Sequence, residues 1–453
     1  MGKITLEQAA AWCGGRIDPK YKDIAFLGAN NDTRKLEPGQ LFVALQGARD
    51  GHEFIPAALE KGAAAVLCTH CDGDYPAIVV PDTRVALGDI ARQERRRIGM
   101  KVVGVTGSVG KSTTKEMIAA VLGSTWRVSK TPANHNNDIG MPMAILAMPE
   151  DTQVAVLEMG MNHFGEIAYL TGIAQPDVAV IINIGTMHIE HLGSREGILQ
   201  AKMEIVEGMP ADGKLILNGD DPLLWGVGVQ NALQPVYFGS QNPECQVRAG
   251  QVRENAERIC FEVSGFGKEF AVELNLVGQH YVSDAMAAVA VALRLGVQPE
   301  AIACSLSRFQ NMAGRQEIFR VRGCTIIKDC YNAGPESMAA ALAVLGSKPG
   351  RRVAVLGDML ELGVRASAEH YRVGRIAAEK AELLFAYGPN SSKVLHGAIT
   401  GGMSENCARA FEDQTIMAKV LKQLVGPGDV LLFKGSNGMH MERVLEMFLQ
   451  EEE

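Results

Sequence analysis

The feature that most restricts this chain is an apolar, β-branched run at 101–106 leading into Thr106-Gly107-Ser108-Val109-Gly110-Lys111-Ser112-Thr113, with a helical pattern over 113–122 behind it. Strand, glycine-rich turn and helix in that order build a phosphate cradle. Glycines let backbone N–H groups turn inward and the helix start adds a positive dipole; a lysine there reaches β/γ-phosphates and a hydroxyl can ligate Mg²⁺. Gly107, Ser108, Val109, Gly110, Lys111, Ser112 and Thr113 are therefore candidate nucleotide contacts. An ordinary glycine turn has no need of Lys-Ser-Thr at the helix start. Val105 stands where the strict motif has its first glycine, so the loop is a variant.

Two more strand patterns follow, at 153–158 and 177–183, with a helical stretch between them. This alternation predicts a parallel α/β sheet, whose ligands gather beyond the carboxyl ends of the strands. Glu158 closes one run and His188 follows the next, so both are candidate Mg²⁺ ligands, the alternative being residues with satisfied hydrogen bonds. On a predicted helix at 196–209, Ile198, Ile205, Val206 and Met209 mark the apolar face, and Lys202 lies on it. Either the lysine snorkels, or desolvation lowers its pKa and yields a CO₂-reactive amine near the metal site.

The 453 residues allow about three domains at about 150 residues each. Short strands at 41–45 and 64–68 with a helix at 55–61 mark the first region, which closes in a basic stretch at 92–97 read as a solvated helix face or linker, with a polyanion site as the minor alternative. A third region begins near Gly314 and repeats the α/β alternation with strands at 352–356, 383–387 and 429–433. Lys and Arg number 44 against 52 Asp and Glu, a net charge of -8, which excludes a general nucleic-acid binder. No apolar run approaches the ~18 to 20 residues of a membrane span. The N-terminus has no signal-peptide pattern, and nine scattered cysteines fit reduced thiols, so a cytoplasmic protein is expected, with Cys68 and Cys71 structural.

The motifs together resemble the ATP-dependent Mur ligases of bacterial cell-wall synthesis, over essentially the whole chain. The phosphate loop is similar to the family's TGxxGK[ST][ST]. Asn134-His135-Asn136-Asn137 with Ile139, Gly140 and Pro142 looks like GNxNNxxGxP, with Ala133 in place of a glycine. Glu158-Met159-Gly160-Met161-Asn162-His163 matches the acidic strand-end motif, and Lys202 falls on the lysine that the family carbamylates. Asp32-Thr33-Arg34, the DxYNAxPxSM-like segment Asp329 to Met338, and Gly357-Asp358-Met359-Leu360-Glu361-Leu362-Gly363 with His370 point to the branch that handles a dipeptide.

The resemblance implies three α/β domains: a small UDP-substrate-binding unit at 1–98, a central P-loop, parallel-sheet ATP-binding unit at 99–313 and a Rossmann-like ligase unit at 314–453. It implies an enzyme that uses ATP and Mg²⁺, two ions by analogy, to join UDP-N-acetylmuramoyl-tripeptide to D-alanyl-D-alanine through an acyl phosphate in peptidoglycan synthesis, acting as a monomer without nucleic acid or membrane. Lys111, Lys202, His188 and Glu158 would be catalytic, with Ser112, Glu158, His188 and carbamylated Lys202 on metal. Asn137, Asp284 and Arg315 would join the loop in holding ATP; Thr33, Arg34, Asp329, Tyr331 and Asn332 would hold the other substrates. Asp284 replaces the asparagine of GxHxVxNAxAA and, ionised, cannot donate to a ring nitrogen; Asn437 ends a KGSR-like segment without a guanidinium fork. The rival classes are a P-loop NTPase switch that makes no amide, and another amide ligase of the Mur or folylpolyglutamate kind.

Overall fold

The computed structural model describes residues 2–230 and 234–450. Near the N-terminus, Ala29–Asn30, Leu41–Val43, Ala65–Cys68 and Ala77–Val79 form a parallel four-stranded sheet in that order. Helix Thr83–Ile98 covers it, started by the Asp82 carboxylate, which accepts from Arg84 N and Val85 N, and stopped by Gly99 at φ 72°. The basic stretch is the end of this helix, a partly exposed helix face and not a linker. Arg95 donates to the carbonyls of Ala174 and Gln175, and Arg97 to the carboxylates of Glu94 and Glu150, so the cations fasten the first unit to the second.

The middle sheet has nine strands, ordered Val128–Lys130, Val154–Glu158, Lys101–Thr106, Val178–Ile181, Lys214–Asn218, Val236–Gly239, Val247–Glu254, Ile259–Gly265 and Lys268–Leu274. Its first seven are parallel, as expected for the strands around the phosphate loop, and the seventh continues into an antiparallel ladder with the last two, which makes the sheet mixed at that edge. The strand before the phosphate loop sits between Val154–Glu158 and Val178–Ile181, with Val105 opposite Glu158 and Val103 opposite Val178. The chain leaves that strand in one direction and returns on the other side, which opens a crevice at the strands' carboxyl ends. Val102, Val103 and Val105 are buried, as a central strand covered on both faces requires.

The helix expected at 196–209 ends early: Arg195–Met203 is α-helical and Glu204–Gly208 is a 3₁₀ turn. The cause lies in the neighbouring helix. Thr171 Oγ1 donates to the Ile205 carbonyl at 2.8 Å, and Glu204 accepts from Gly165 N and Ala168 N at that helix's start. Ile198, Lys202 and Ile205 nonetheless share the buried side.

The last sheet runs Glu317–Val321, Cys324–Asp329, Val430–Lys434, Arg352–Gly357, Leu383–Tyr387 and Ala408–Phe411, parallel except for its first strand. All nine cysteines are free thiols. Among the described residues no helix is long and apolar enough to cross a membrane.

Candidate active site

Gly110 caps helix Lys111–Leu122 at φ 85°, a conformation that favours glycine, and a Cβ there would lie 2.5 Å from Asp284 Oδ1. The loop before it is held from outside. Asn183 Oδ1 accepts from Ser108 N and Val109 N, both at 3.0 Å, and Asn183 Nδ2 donates to the Val109 carbonyl at 2.9 Å. Lys111 curls over its own loop, donating to the carbonyls of Gly107 (2.8 Å) and Ser108 (3.2 Å). Burial draws its pKa down, against the nearby Glu158 carboxylate.

Glu158 is buried at the end of its strand. Ser112 Oγ donates to its Oε2 at 2.8 Å and Asn136 Nδ2 to its Oε1 at 2.9 Å. The fully buried Lys115 stands 3.7 Å from Oε2 and donates to the Thr131 carbonyl at 2.7 Å. A hydroxyl and a carboxylate side by side, balanced by a lysine, suit hard Mg²⁺, which takes oxygen and leaves places for phosphate and water. Among the described residues no group of three His, Cys, Asp or Glu could hold a metal alone, so phosphate oxygens would have to complete the shell.

The facing wall comes from the last unit. Arg315 donates to Ser112 Oγ at 2.8 Å and stacks its guanidinium 4.0 Å from the centre of the Tyr331 ring. Lys434 donates to Asp329 Oδ2 at 2.6 Å and to the Asn332 carbonyl at 2.9 Å. Thr186 Oγ1 donates to Glu336 Oε1 at 2.9 Å. His188, at φ 63°, places Nδ1 2.8 Å from Glu361 Oε2, close enough for ion pairing but out of line for a hydrogen bond, and holds the Glu361 carboxyl below its usual range. Between the walls lies a cavity of 540 Å³. His188 Nδ1, Arg315 Nε and Glu336 Oε2 on its lining are buried without hydrogen-bond partners, a pattern that a polar ligand resolves.

Models of the Mur ligase family, catalytic domain, of the Mur ligase middle domain and of the Mur ligase, glutamate ligase domain match residues 24–95, 105–292 and 314–437. A Bacillus subtilis (strain 168) relative, UDP-N-acetylmuramoyl-tripeptide--D-alanyl-D-alanine ligase, is 40% identical over 463 residues, spanning 99% of both chains. This chain belongs to the Mur ligase family. An Escherichia coli (strain K12) relative of the same name is 35% identical over 98% of both chains. The crystal structure of MurF from Acinetobacter baumannii superposes with a TM-score of 0.91 at 32% identity, covering 100% of each chain. MurF ligase from Thermotoga maritima in complex with ADP does so at 0.82 and 31% identity, over 93% of this chain and 96% of that one.

Membership in the Mur ligase family agrees with the resemblance carried by the motifs. Of the expected site residues, Ser108, Val109, Gly110, Lys111, Ser112, Thr113, Asn137, Glu158, His188, Asp284, Arg315, Asp329, Tyr331 and Asn332 line the cavity. Gly107 and Lys202 lie outside its lining, as do Thr33 and Arg34. The Arg34 side chain is 87% exposed and pairs with Asp32. Burial, then the charges of Lys35 and Lys115, lowers the His135 imidazole pKa. Lys202 is 2% exposed with no hydrogen bond or ion pair among the described residues, and burial, then the Lys111 charge, drives its pKa well down.

The departures have physical readings. Ala133 sits at φ 42°, where the family's glycine would be unstrained. Asp284 accepts from Thr114 Oγ1 at 2.9 Å beneath Gly110, and burial raises its carboxyl to about 7. Asn437 opens a 3₁₀ turn outside the cavity lining. Sequence reading gave no role to Lys115, Asn136, Asn183 or Glu336. Lys115 was reachable, four residues after Lys111 on a helix whose inner face runs through Ile118 and Leu122.

Proposed function

We propose that this chain is an ATP-dependent ligase that joins UDP-N-acetylmuramoyl-tripeptide to D-alanyl-D-alanine, with ADP and phosphate as the other products. The observation that carries the reading is one cavity bounded by a phosphate loop, a buried Ser112–Glu158 pair and the Arg315–Tyr331–Asp329 wall, in a chain 40% identical to a ligase of that name over 99% of its length. The division into units at 1–98, 99–313 and 314–453 belongs to the same reading: substrate holding, nucleotide holding and acceptor holding. In it Thr33 and Arg34 hold the uridine diphosphate.

The chemistry follows from charge. The tripeptide carboxylate attacks the γ-phosphorus in line, forming a C–O–P linkage as ADP leaves; the dipeptide amine then attacks the carbonyl carbon, losing a proton, and inorganic phosphate departs with the C–O electrons. Both steps concentrate negative charge, so positioned cations do most of the catalysis. Lys111 turns from its loop carbonyls to the phosphates, and Arg315 reaches them through its unpaired Nε. Asn137 and Asp284 hold the rest of the nucleotide. Ser112 and Glu158 would hold Mg²⁺, which supplies charge neutralisation on the phosphates. A second ion would draw on His188 and on Lys202 as its carbamate. The isolation and lowered pKa of Lys202 support that modification, because a neutral amine is the form that adds CO₂. Exposure to ¹³CO₂ should give a carbamate carbon signal that Lys202→Met lacks.

The deciding experiment measures phosphate release with ATP and Mg²⁺, adding D-alanyl-D-alanine and each UDP-tripeptide separately and together. Release that requires both, with UDP-pentapeptide seen by mass spectrometry, is expected. Release indifferent to them would mark an NTPase switch instead.

A further inference from the structure

The cavity carries several carboxylates, and their oxygens are differently served. Both oxygens of Glu158 accept hydrogen bonds, from Ser112 and Asn136, and Asp329 is bound by Lys434 and Gln316 N. Glu336 differs. Its Oε1 accepts from Thr186, while Oε2 is the one carboxylate oxygen among the described residues that is buried with no partner. Its placement is tight as well: a Cβ on Gly185 would come within 3.0 Å of Glu336 Cδ and 3.1 Å of Ser108 Cβ. Glycine at 185 is what lets a carboxylate from the start of helix Pro335–Gly346 reach the Ser108 side of the phosphate loop.

A buried, unpaired carboxylate oxygen is costly and calls for a cationic donor. It is misplaced for phosphate, which it repels, and in the proposed function magnesium would take the Ser112–Glu158 pair for one ion and His188 with Lys202 for the second. A primary ammonium remains. At neutral pH the dipeptide amine is largely protonated, with a pKa of about 8 for a free α-amino group. It must also be brought to the phosphate-loop side, where the activated carbonyl forms. Resting on the ligase reading above, we infer that Glu336 is the anionic anchor for the acceptor's ammonium group, holding the amine against the Ser108 side of the loop before attack.

A diamino acid in the tripeptide offers a second source of the same cation, so the test separates the two. In Glu336→Gln the KM for D-alanyl-D-alanine should rise about tenfold or more, the loss of one charge-assisted hydrogen bond, with the KM values for ATP and UDP-tripeptide moving less than about twofold. A companion measurement uses D-lactoyl-D-alanine, which has a hydroxyl in place of the amine, as an inhibitor. The wild-type protein should bind it about tenfold more weakly than the dipeptide, and the variant should show no such gap. The inference is overturned by an unchanged dipeptide KM, by a rise confined to UDP-tripeptide, by an equal rise in all three, which would mark a mere interdomain latch, or by wild-type protein that fails to distinguish amine from hydroxyl. Should the wild-type protein release phosphate without needing the dipeptide, the ligase reading itself fails, a separate result visible before any variant is made.

Discussion

The two ends of the proposed substrate path are built differently. At the phosphate loop, Lys115 and Glu158 have side chains 0% and 3% exposed, and Ser112 is held by Glu158 on one side and Arg315 on the other. At the N-terminal loop, Arg34 is 87% exposed and its one ion pair among the described residues is with Asp32, two residues away. At the first end Ser112, Lys115 and Glu158 are held before substrate arrives, which suits stabilising charge in a transition state. In the proposed function the second is a surface that would gain its contacts from the ligand, which suits recognition.

If that contrast is right, removing charge at the buried end should cost the most. Glu158→Gln keeps the shape and loses the anion, and amide formation should drop by about three orders of magnitude in a steady-state assay; retention of a tenth of the activity would break the comparison. Asp284→Asn tests burial through pH. Burial lifts the Asp284 carboxyl from 3.8 to about 7, so between those values the folded chain keeps a proton that the unfolded chain has released, and stability falls as pH rises through this window. Replacing it with asparagine removes that slope. In urea titrations the variant's advantage should grow from nothing near pH 4 to a ceiling of about 4 kcal/mol above pH 7. Lys115→Met strips the buried cation from Glu158 and the Thr131 carbonyl, and should lower unfolding stability by about 3 kcal/mol. Arg34→Ala sits at the other extreme: an unchanged melting temperature with a several-fold higher KM for the UDP-tripeptide sharpens the contrast, and a lowered melting temperature blurs it.

Legibility in the sequence follows the same division. The strand, loop and helix around Lys111 were readable because glycine, lysine and hydroxyl positions are dictated by phosphate geometry, and Glu158 because it ends an apolar run. Lys202 announced its burial through the spacing of Ile198 and Ile205, although the 3₁₀ turn at Glu204–Gly208 was hidden, since it depends on Thr171 in a different helix. The antiparallel ladder at the edge of the middle sheet carries a period-two pattern, with Ile259, Phe261 and Val263 inward, that was there to be counted. Asn183 had no such mark, since one polar residue after a strand looks like any other until the chain brings it to Ser108, and Glu336, though inside the Asp329-to-Met338 segment, fills one of its unspecified positions. Thr33 and Arg34 rest on resemblance alone, because an exposed loop leaves no periodic trace of what it binds.

The Asn183 clamp has a consequence in time as well as space. With the Ser108 and Val109 amides already satisfied by one side-chain oxygen, an arriving phosphate does not simply dock onto waiting donors; it trades places with an amide. Nucleotide capture then becomes an encounter followed by an exchange, and the observed rate should level off at high nucleotide concentration in stopped flow, with the ceiling set by how fast Asn183 lets go.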